Sequence, residues 1–151
     1  MDIEVKVKSL QEGAKVPFKT YDDDFCYDVV ATSEKEIAPN VWEYGIGLAF
    51  EIVRPVDNNK DIKLSIDFRP RSSVWKTGMV LSNCEGTIDE TYRGEVKAIF
   101  YHVMPNMPRY KIGDKIGQIK LGATLPMKFN LVSDLNMNTD RGEGGFGSTG
   151  K

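Results

Sequence analysis

The sequence predicts an all-β sandwich or barrel of short strands, with one short helix and a flexible C-terminal arm. Three observations carry that reading. Apolar residues recur with period two in short runs, turn residues punctuate the runs at regular intervals, and windows with helical spacing are almost absent. In chain order, Ile3, Val5 and Val7 alternate with charged residues and read as the first strand. Similar runs follow at Trp42–Val53, Ile62–Phe68, Met79–Leu81, Glu95–His102 and Lys115–Leu121. Turns are expected at Pro39-Asn40, Asp57–Lys60, Glu85-Gly86, Pro105–Pro108 and Gly113-Asp114. The helix is a turn or two at Ser72–Lys76, capped by Ser72 or Ser73 and ended by Gly78. The core is expected to end near Val132, giving a body of residues 1–133 and an arm of residues 134–151.

Composition narrows the classes of function. A length of 151 residues suits one domain, and 40% apolar residues suffice for a packed core. A net charge of −2 gives no general field for a polyanion, so any phosphate site must be a local cluster. No apolar run approaches the length of a membrane span. The N-terminal alternation lacks the apolar stretch of a leader. The two cysteines, Cys26 and Cys84, have no metal-ligand spacing and read as reduced thiols, so a cytoplasmic location is expected. With a single histidine, a protein-ligated zinc or redox metal is not expected.

The final eleven residues, Arg141 to Lys151, contain five glycines, with one arginine, one phenylalanine, a serine and a threonine. Such a segment builds no core, but it suits closure over a charged nucleotide. Arg141 can fork onto phosphate oxygens, glycine N–H groups can approach phosphates closely, Ser148 and Thr149 can donate, and Phe146 can stack on a base. The alternative is a loose Gly/Ser terminus, which needs neither an arginine nor a phenylalanine. Gly145 to Lys151 also spells a Walker A string, but residues 134–141 do not read as the strand that a phosphate loop follows, and no helix opens from it.

Three further segments stand out. Arg69 to Gly78 combines two arginines and two serines at a helix start, a ready phosphate site or else a solvated turn. Asn83 to Gly94 reads as a hairpin, with Val80–Asn83 and Thr87–Asp89 as arms. Its main chain can read the edge of a base, Asp89 can deprotonate a water, and Tyr92 can lie flat on a sugar. Otherwise Asp89, Glu90 and Arg93 are exposed charges beside an ordinary turn. Gly113 to Leu121 is a turn entering a strand, with Gln118 its one polar candidate ligand.

In order and wording these segments resemble the trimeric dUTP diphosphatases (dUTPases). The match runs from Val5 to the C-terminus and includes five motifs: Tyr27-Asp28-Val29, Pro70 to Gly78, Gly86 to Gly94, Gly113 to Gln118, and Arg141 to Gly150. The resemblance implies a jelly-roll-like β domain, a homotrimer, and active sites shared between subunits. Motifs one, two and four would come from one subunit, motif three from a second and the arm from the third. The implied reaction is dUTP plus water to dUMP and pyrophosphate, with Mg²⁺ on the triphosphate. This keeps uracil out of DNA and supplies dUMP for thymidylate synthesis.

Position by position, the resemblance makes Asp89 the base for the attacking water and Tyr92 the ring that excludes a 2′-hydroxyl. Asn83, Gly86, Thr87 and Ile88 would read uracil. Arg71, Ser72, Ser73 and Gln118 would contact phosphates, and Asp28 would reach the metal through water. In the arm, Phe146 would cover the base, while Arg141, Gly147, Ser148 and Thr149 would hold the nucleotide. Three residues depart from the family pattern: Cys26, the bulky Phe25 before it, and Trp75 after the serines of motif two. These three are expected to be variations of the core. His102 reads as a hydrogen-bonded structural histidine, and Trp42 and Met79 as core. The rival readings are a dCTP deaminase of the same fold, alone or bifunctional, and a nucleotide-sensing module without catalysis. The deaminases carry a glutamate in the strand after motif three, and Val96–His102 has no carboxylate.

Overall fold

The structure, a computed structural model, describes residues 2–56 and 59–150. The turn expected at Asp57–Lys60 and the terminal Lys151 therefore lie partly or wholly outside the described residues. Among the described residues ten strands form in chain order: β1 (Glu4–Ser9), β2 (Tyr27–Val30), β3 (Ser33–Ala38), β4 (Val41–Gly45), β5 (Leu48–Val53), β6 (Lys63–Arg69), β7 (Met79–Leu81), β8 (Gly86–Asp89), β9 (Lys97–His102) and β10 (Lys115–Thr124). They pair in three open antiparallel sheets, ordered β1-β5, β2-β10-β6-β8 and β3-β4-β9-β7. The all-β, jelly-roll-like class is thus present, as sheets that do not close into a barrel.

Alternation explains β6 best. Leu64, Ile66 and Phe68 turn inward and are buried, while Ser65 and Asp67 turn outward. The core between the four-stranded sheets holds Val29, Tyr44, Ile46, Leu48, Phe100 and Ile116, all almost fully buried. Tyr44, Phe100 and Tyr110 pack edge to face, with ring centroids 5.5 to 6.2 Å apart. The Tyr44 hydroxyl donates to the Tyr110 carbonyl at 2.7 Å, so burial leaves that donor satisfied.

Several expectations need correcting. The run Trp42–Val53 is two strands in different sheets, because Gly47 turns the chain with a left-handed φ of 69°. The arms around Gly86 do not pair with each other. β7 pairs with β9 and β8 pairs with β6, so residues 82–85 cross from one sheet to the other. The helix is a 3-10 helix, Ser72–Thr77, whose N-cap is Arg71 with no side-chain cap bond. Gly78 does end it, in the left-handed conformation at φ 66°. His102 is buried with Nε2 2.9 Å from the Met107 carbonyl, and Met79 is core, both as expected. Trp42 packs on the core edge, with the Arg109 guanidinium 3.6 Å from its ring centre. Trp75 and Phe25 are not core variations: both rings stand exposed. Cys26 is half-buried, Cys84 is exposed, and neither is bonded to the other.

Candidate active site

The sheet β2-β10-β6-β8 carries the candidate chemistry on its outer face. Asp28 of β2 lies opposite Gln118 of β10, which lies opposite Arg69 of β6. One row over, Lys120 faces Asp67, which faces Thr87. The next row runs Gly122, Ser65, Asp89. Period two puts all these side chains on one side and Ile66, Phe68, Ile88 and Ile119 on the core side.

At the β2 end, motifs one, two and four meet. Arg71 Nε donates to Asp28 Oδ1 at 3.0 Å, and Lys115 Nζ lies 3.2 Å from Asp28 Oδ2. Arg71 Nη1 reaches the Ser73 hydroxyl at 3.4 Å. Gln118 Nε2 donates to the Pro70 carbonyl at 3.0 Å and so fastens β10 to the entrance of the 3-10 helix. Ser72 is exposed at the first position of that helix. The corner therefore presents two cations, two hydroxyls and an amide around one carboxylate. That set suits polyphosphate oxygens.

Around motif three a cavity of about 350 Å³ is lined by Asn83, Gly86, Thr87 and Ile88. All four are base-reading candidates from the sequence. The same cavity takes Phe68 from β6 and Lys97, Ala98 and Ile99 from β9, which sequence reasoning missed. β9 carries no local signal for a pocket, because its neighbours there arrive through sheet pairing. The Phe68 ring also lies across Gly117, where a Cβ would come within 2.6 Å of Phe68 Cε2. Phe68 thus touches both the base-side cavity and the strand that bears Gln118.

Asp89 is exposed at the end of β8, beside a second cavity of about 340 Å³ that also includes Ser65, Asp67, Thr87 and Lys120. Asp67 and Lys120 form a mostly buried ion pair at 2.9 Å, and Ser65 Oγ donates to Asp67 Oδ1 at 2.8 Å. Burial raises the Asp67 carboxyl, but the bonds from Lys120 and Ser65 outweigh it and hold the group below its ordinary range. The turn after Asp89 is tied down from several sides. Tyr92 N–H donates to the Asp89 carbonyl at 3.0 Å, and Arg93 Nη1 donates to the Glu90 carbonyl at 2.7 Å. Arg54 grips the Glu90 carboxylate through Nε and, at 2.6 Å, through Nη2. The hydrogen bond from Arg54 is the main reason the Glu90 carboxyl sits below its ordinary range. This clamp was also missed, since Arg54 lies in another element with no motif around it.

Not all candidates come together in one chain. Asp28 and Asp89 sit on opposite edge strands and in different rows. Three strand spacings separate them by roughly 14 Å, and the advance from Gln118 to Gly122 adds roughly 13 Å along the strands. The arm stands apart from both. Apart from a bond between the neighbours Ser133 and Asp134, its hydrogen bonds among the described residues close on itself: Arg141 Nε donates to the Gly144 carbonyl at 2.8 Å, and Ser148 N–H to the Gly145 carbonyl at 3.0 Å. Phe146 is fully exposed, and Gly147 and Thr149 flank the same turns. The last strand ends at Thr124, and residues 125–140 are exposed throughout.

The comparisons with known proteins bear on the family of the chain and on its fold. A family model described as dUTPase matches residues 12–150. A deoxyuridine 5'-triphosphate nucleotidohydrolase of Zymomonas mobilis is 35% identical, over 99% of both chains. One from Clostridium novyi is 34% identical over 95% of this chain and 96% of its own. Among solved structures, a dUTPase variant of Staphylococcus bacteriophage 80alpha with dUpNHpp superposes with a TM-score of 0.74, at 18% identity, over 98% of this chain and 99% of that one. A dUTPase variant from phage phi11 of S. aureus, described with a structural Mg(II) ion, gives 0.67 at 17% identity, over 88% of this chain and 99% of that one. The two phage structures establish likeness of fold, and the family match and the bacterial relatives establish kinship: the chain belongs to the dUTPase family.

Proposed function

We propose that this chain is a dUTP diphosphatase that hydrolyses dUTP to dUMP and pyrophosphate, with its active site completed by neighbouring copies in a homotrimer. The observation that carries the reading is the division of labour on one sheet face. Phosphate-binding groups gather at Asp28, Arg71, Ser73 and Gln118, while the base cavity and the exposed Asp89 lie at the far edge. A triphosphate held at the corner of one protomer cannot also reach that protomer's own Asp89 across the separation given above. In this reading a second copy brings Asp89, Tyr92 and the base cavity to it. The third contribution is the arm of residues 134–151, beyond a body of residues 1–133. Leu125, Met127, Phe129 and Leu131, between the last strand and the arm, support this, being exposed at alternate positions. A neighbouring copy would cover them.

In this reading Asp89 accepts a proton from the water that attacks the α-phosphorus, and pyrophosphate leaves. Asn83 with the main chain of Gly86, Thr87 and Ile88 reads uracil, and Tyr92 lies against the deoxyribose. Arg71, Ser72, Ser73 and Gln118 hold phosphate oxygens. Arg141, Gly147, Ser148 and Thr149 complete the phosphate shell, and Phe146 covers the base and excludes water. Asp28 offers a hard oxygen donor at the phosphate corner, which suits Mg²⁺ reached through a water. The metal, when bound, offsets charge on the phosphate oxygens. No helix among the described residues is long and apolar enough to cross a membrane, and the unpaired thiols fit a cytoplasmic enzyme. A deaminase reading is disfavoured because β9, which lines the base cavity, presents Lys97, Ala98 and Ile99 there and no carboxylate.

The test is pyrophosphate release from dUTP, dTTP, dCTP and UTP side by side, with and without Mg²⁺. Strong preference for dUTP is expected. Ammonia release from dCTP would assign the deaminase activity, and binding of dUTP without turnover would assign a sensing module.

A further inference from the structure

Tyr92 is held in an unusual way. Its ring folds back over its own chain, and its hydroxyl donates to the Glu95 carbonyl at 3.0 Å. Gly94 makes room for the fold, since a Cβ there would come within 2.6 Å of Tyr92 Cζ. The carbonyl that receives the hydroxyl belongs to a residue whose own side chain is locked. The Glu95 carboxylate accepts the Gly47 N–H at 3.1 Å. It lies where Gly45 has no side chain: a Cβ at Gly45 would overlap the carboxylate outright and come within 2.6 Å of Ser33 Oγ. The next residue is bracketed too, because Val96 N–H donates to the Leu48 carbonyl at 3.0 Å. Glu95 therefore joins the corner between β4 and β5 to the tyrosine ring.

We propose that Glu95 is a positioning residue that sets the tilt of Tyr92 and, through it, the discrimination between deoxyribose and ribose. The inference rests on the sugar-facing reading of Tyr92. Glu95 does not touch substrate in this account. A carboxylate pinned in a slot lined by glycine fixes the peptide after Gly94, and that peptide fixes the phenol oxygen. A ring that closes on the 2′ side of the sugar excludes a hydroxyl only while its distance is held tightly, because sub-ångström slack admits the extra atom. Loss of activity alone would not separate this role from a structural one. The ratio of kcat/KM for dUTP to that for UTP does.

The full-length enzyme with Mg²⁺ is assayed on both nucleotides for five variants, with trimer content and Tm recorded for each. Glu95→Ala and Tyr92→Phe are each expected to lower the dUTP-to-UTP ratio about tenfold, mostly through better use of UTP. Tyr92→Ala is expected to lower it further. Glu95→Gln keeps an acceptor for the Gly47 N–H and is expected to restore the ratio. Gly45→Ala, which crowds the carboxylate, is expected to behave like Glu95→Ala and supplies the same readout if that variant does not fold. A folded Glu95→Ala or Gly45→Ala that keeps the wild-type ratio, while Tyr92→Phe lowers it, overturns this inference alone. If Tyr92→Phe and Tyr92→Ala both leave the ratio unchanged, the sugar-facing reading falls and this inference falls with it.

Discussion

The two edges of the sheet β2-β10-β6-β8 are built on opposite plans. At the β2 edge the carboxylate of Asp28 is mostly buried and already engaged by Arg71 and Lys115. At the β8 edge Asp89 is exposed, and what is tied down is the turn after it, by Arg54, Arg93 and Tyr92. On the proposed reading the first edge is arranged for charge it would receive: its cations are oriented before a polyphosphate arrives, so binding need not order them. The second keeps its carboxylate open to water while its backbone is fixed, as a general base requires. On the proposed reading, a protomer with both edges so far apart contributes each edge to a different, shared site.

Asp89→Asn should show the largest effect, since it removes the proton acceptor and leaves the corner intact. A fall in kcat of about 10³-fold is expected, with dUTP affinity by calorimetry retained. Loss of affinity in step with kcat would break the contrast by making Asp89 a binding group. Removing residues 134–151 should lower kcat by about 10²-fold, because closure and the Arg141 contacts go together. Tm should not change, as the arm's one bond to the body among the described residues is the local one from Ser133 Oγ to Asp134 Oδ2 at 3.5 Å. A large fall in Tm or loss of the trimer would show that the arm belongs to the fold. Asp28→Asn should act at the other edge. It leaves Arg71 and Lys115 facing each other without a countercharge, so KM should rise by about tenfold and Tm should fall by a few degrees.

The smallest expected effect is on acid stability. Glu34 is held below its ordinary value of 4.5 chiefly by its hydrogen bond from Arg109, and Glu90 likewise by Arg54. Asp67 is held below 3.8 once the bonds from Lys120 and Ser65 overcome its burial. Their folded pKa values lie below the unfolded ones, so the unfolded chain binds more protons in this range. The stabilisation is fully present above about pH 4.5 and is lost as pH falls through the lower folded values. Denaturant titrations from pH 6 down to pH 3 should show a steady decline below pH 4.5. Lys120→Met should flatten part of it by releasing Asp67.

Much of the site was legible because its motifs are unbroken strings. Asn83 to Gly94 places Asn83, Ile88, Asp89 and Tyr92 on one segment, and alternation alone put Ile66 and Phe68 in the core. What was hidden depended on partners distant in sequence. The Arg54 grip on Glu90, the Asp28 link to Arg71 and the β9 wall of the base cavity arise only when strands pair. β3 gave no signal because Ser33–Ala38 is an edge strand of charged and exposed residues without alternation. The arms around Gly86 misled because local sequence resembles a hairpin even when its two strands join different sheets. Trp75 and Phe25 read as core from size, yet both rings stand exposed, with the Lys76 ammonium over Trp75 at 5.8 Å from its ring centre.

The Phe68 ring lying across Gly117 has a consequence for how this enzyme can vary. Adding even a methyl group at position 117 would displace the phenyl, which lines a cavity together with Gly86 and Ile88. Selection for altered phosphate handling on that strand would therefore alter base preference in the same step. On the proposed reading the two specificities are mechanically geared, and a library that randomises one without compensating at Phe68 is expected to recover few active clones.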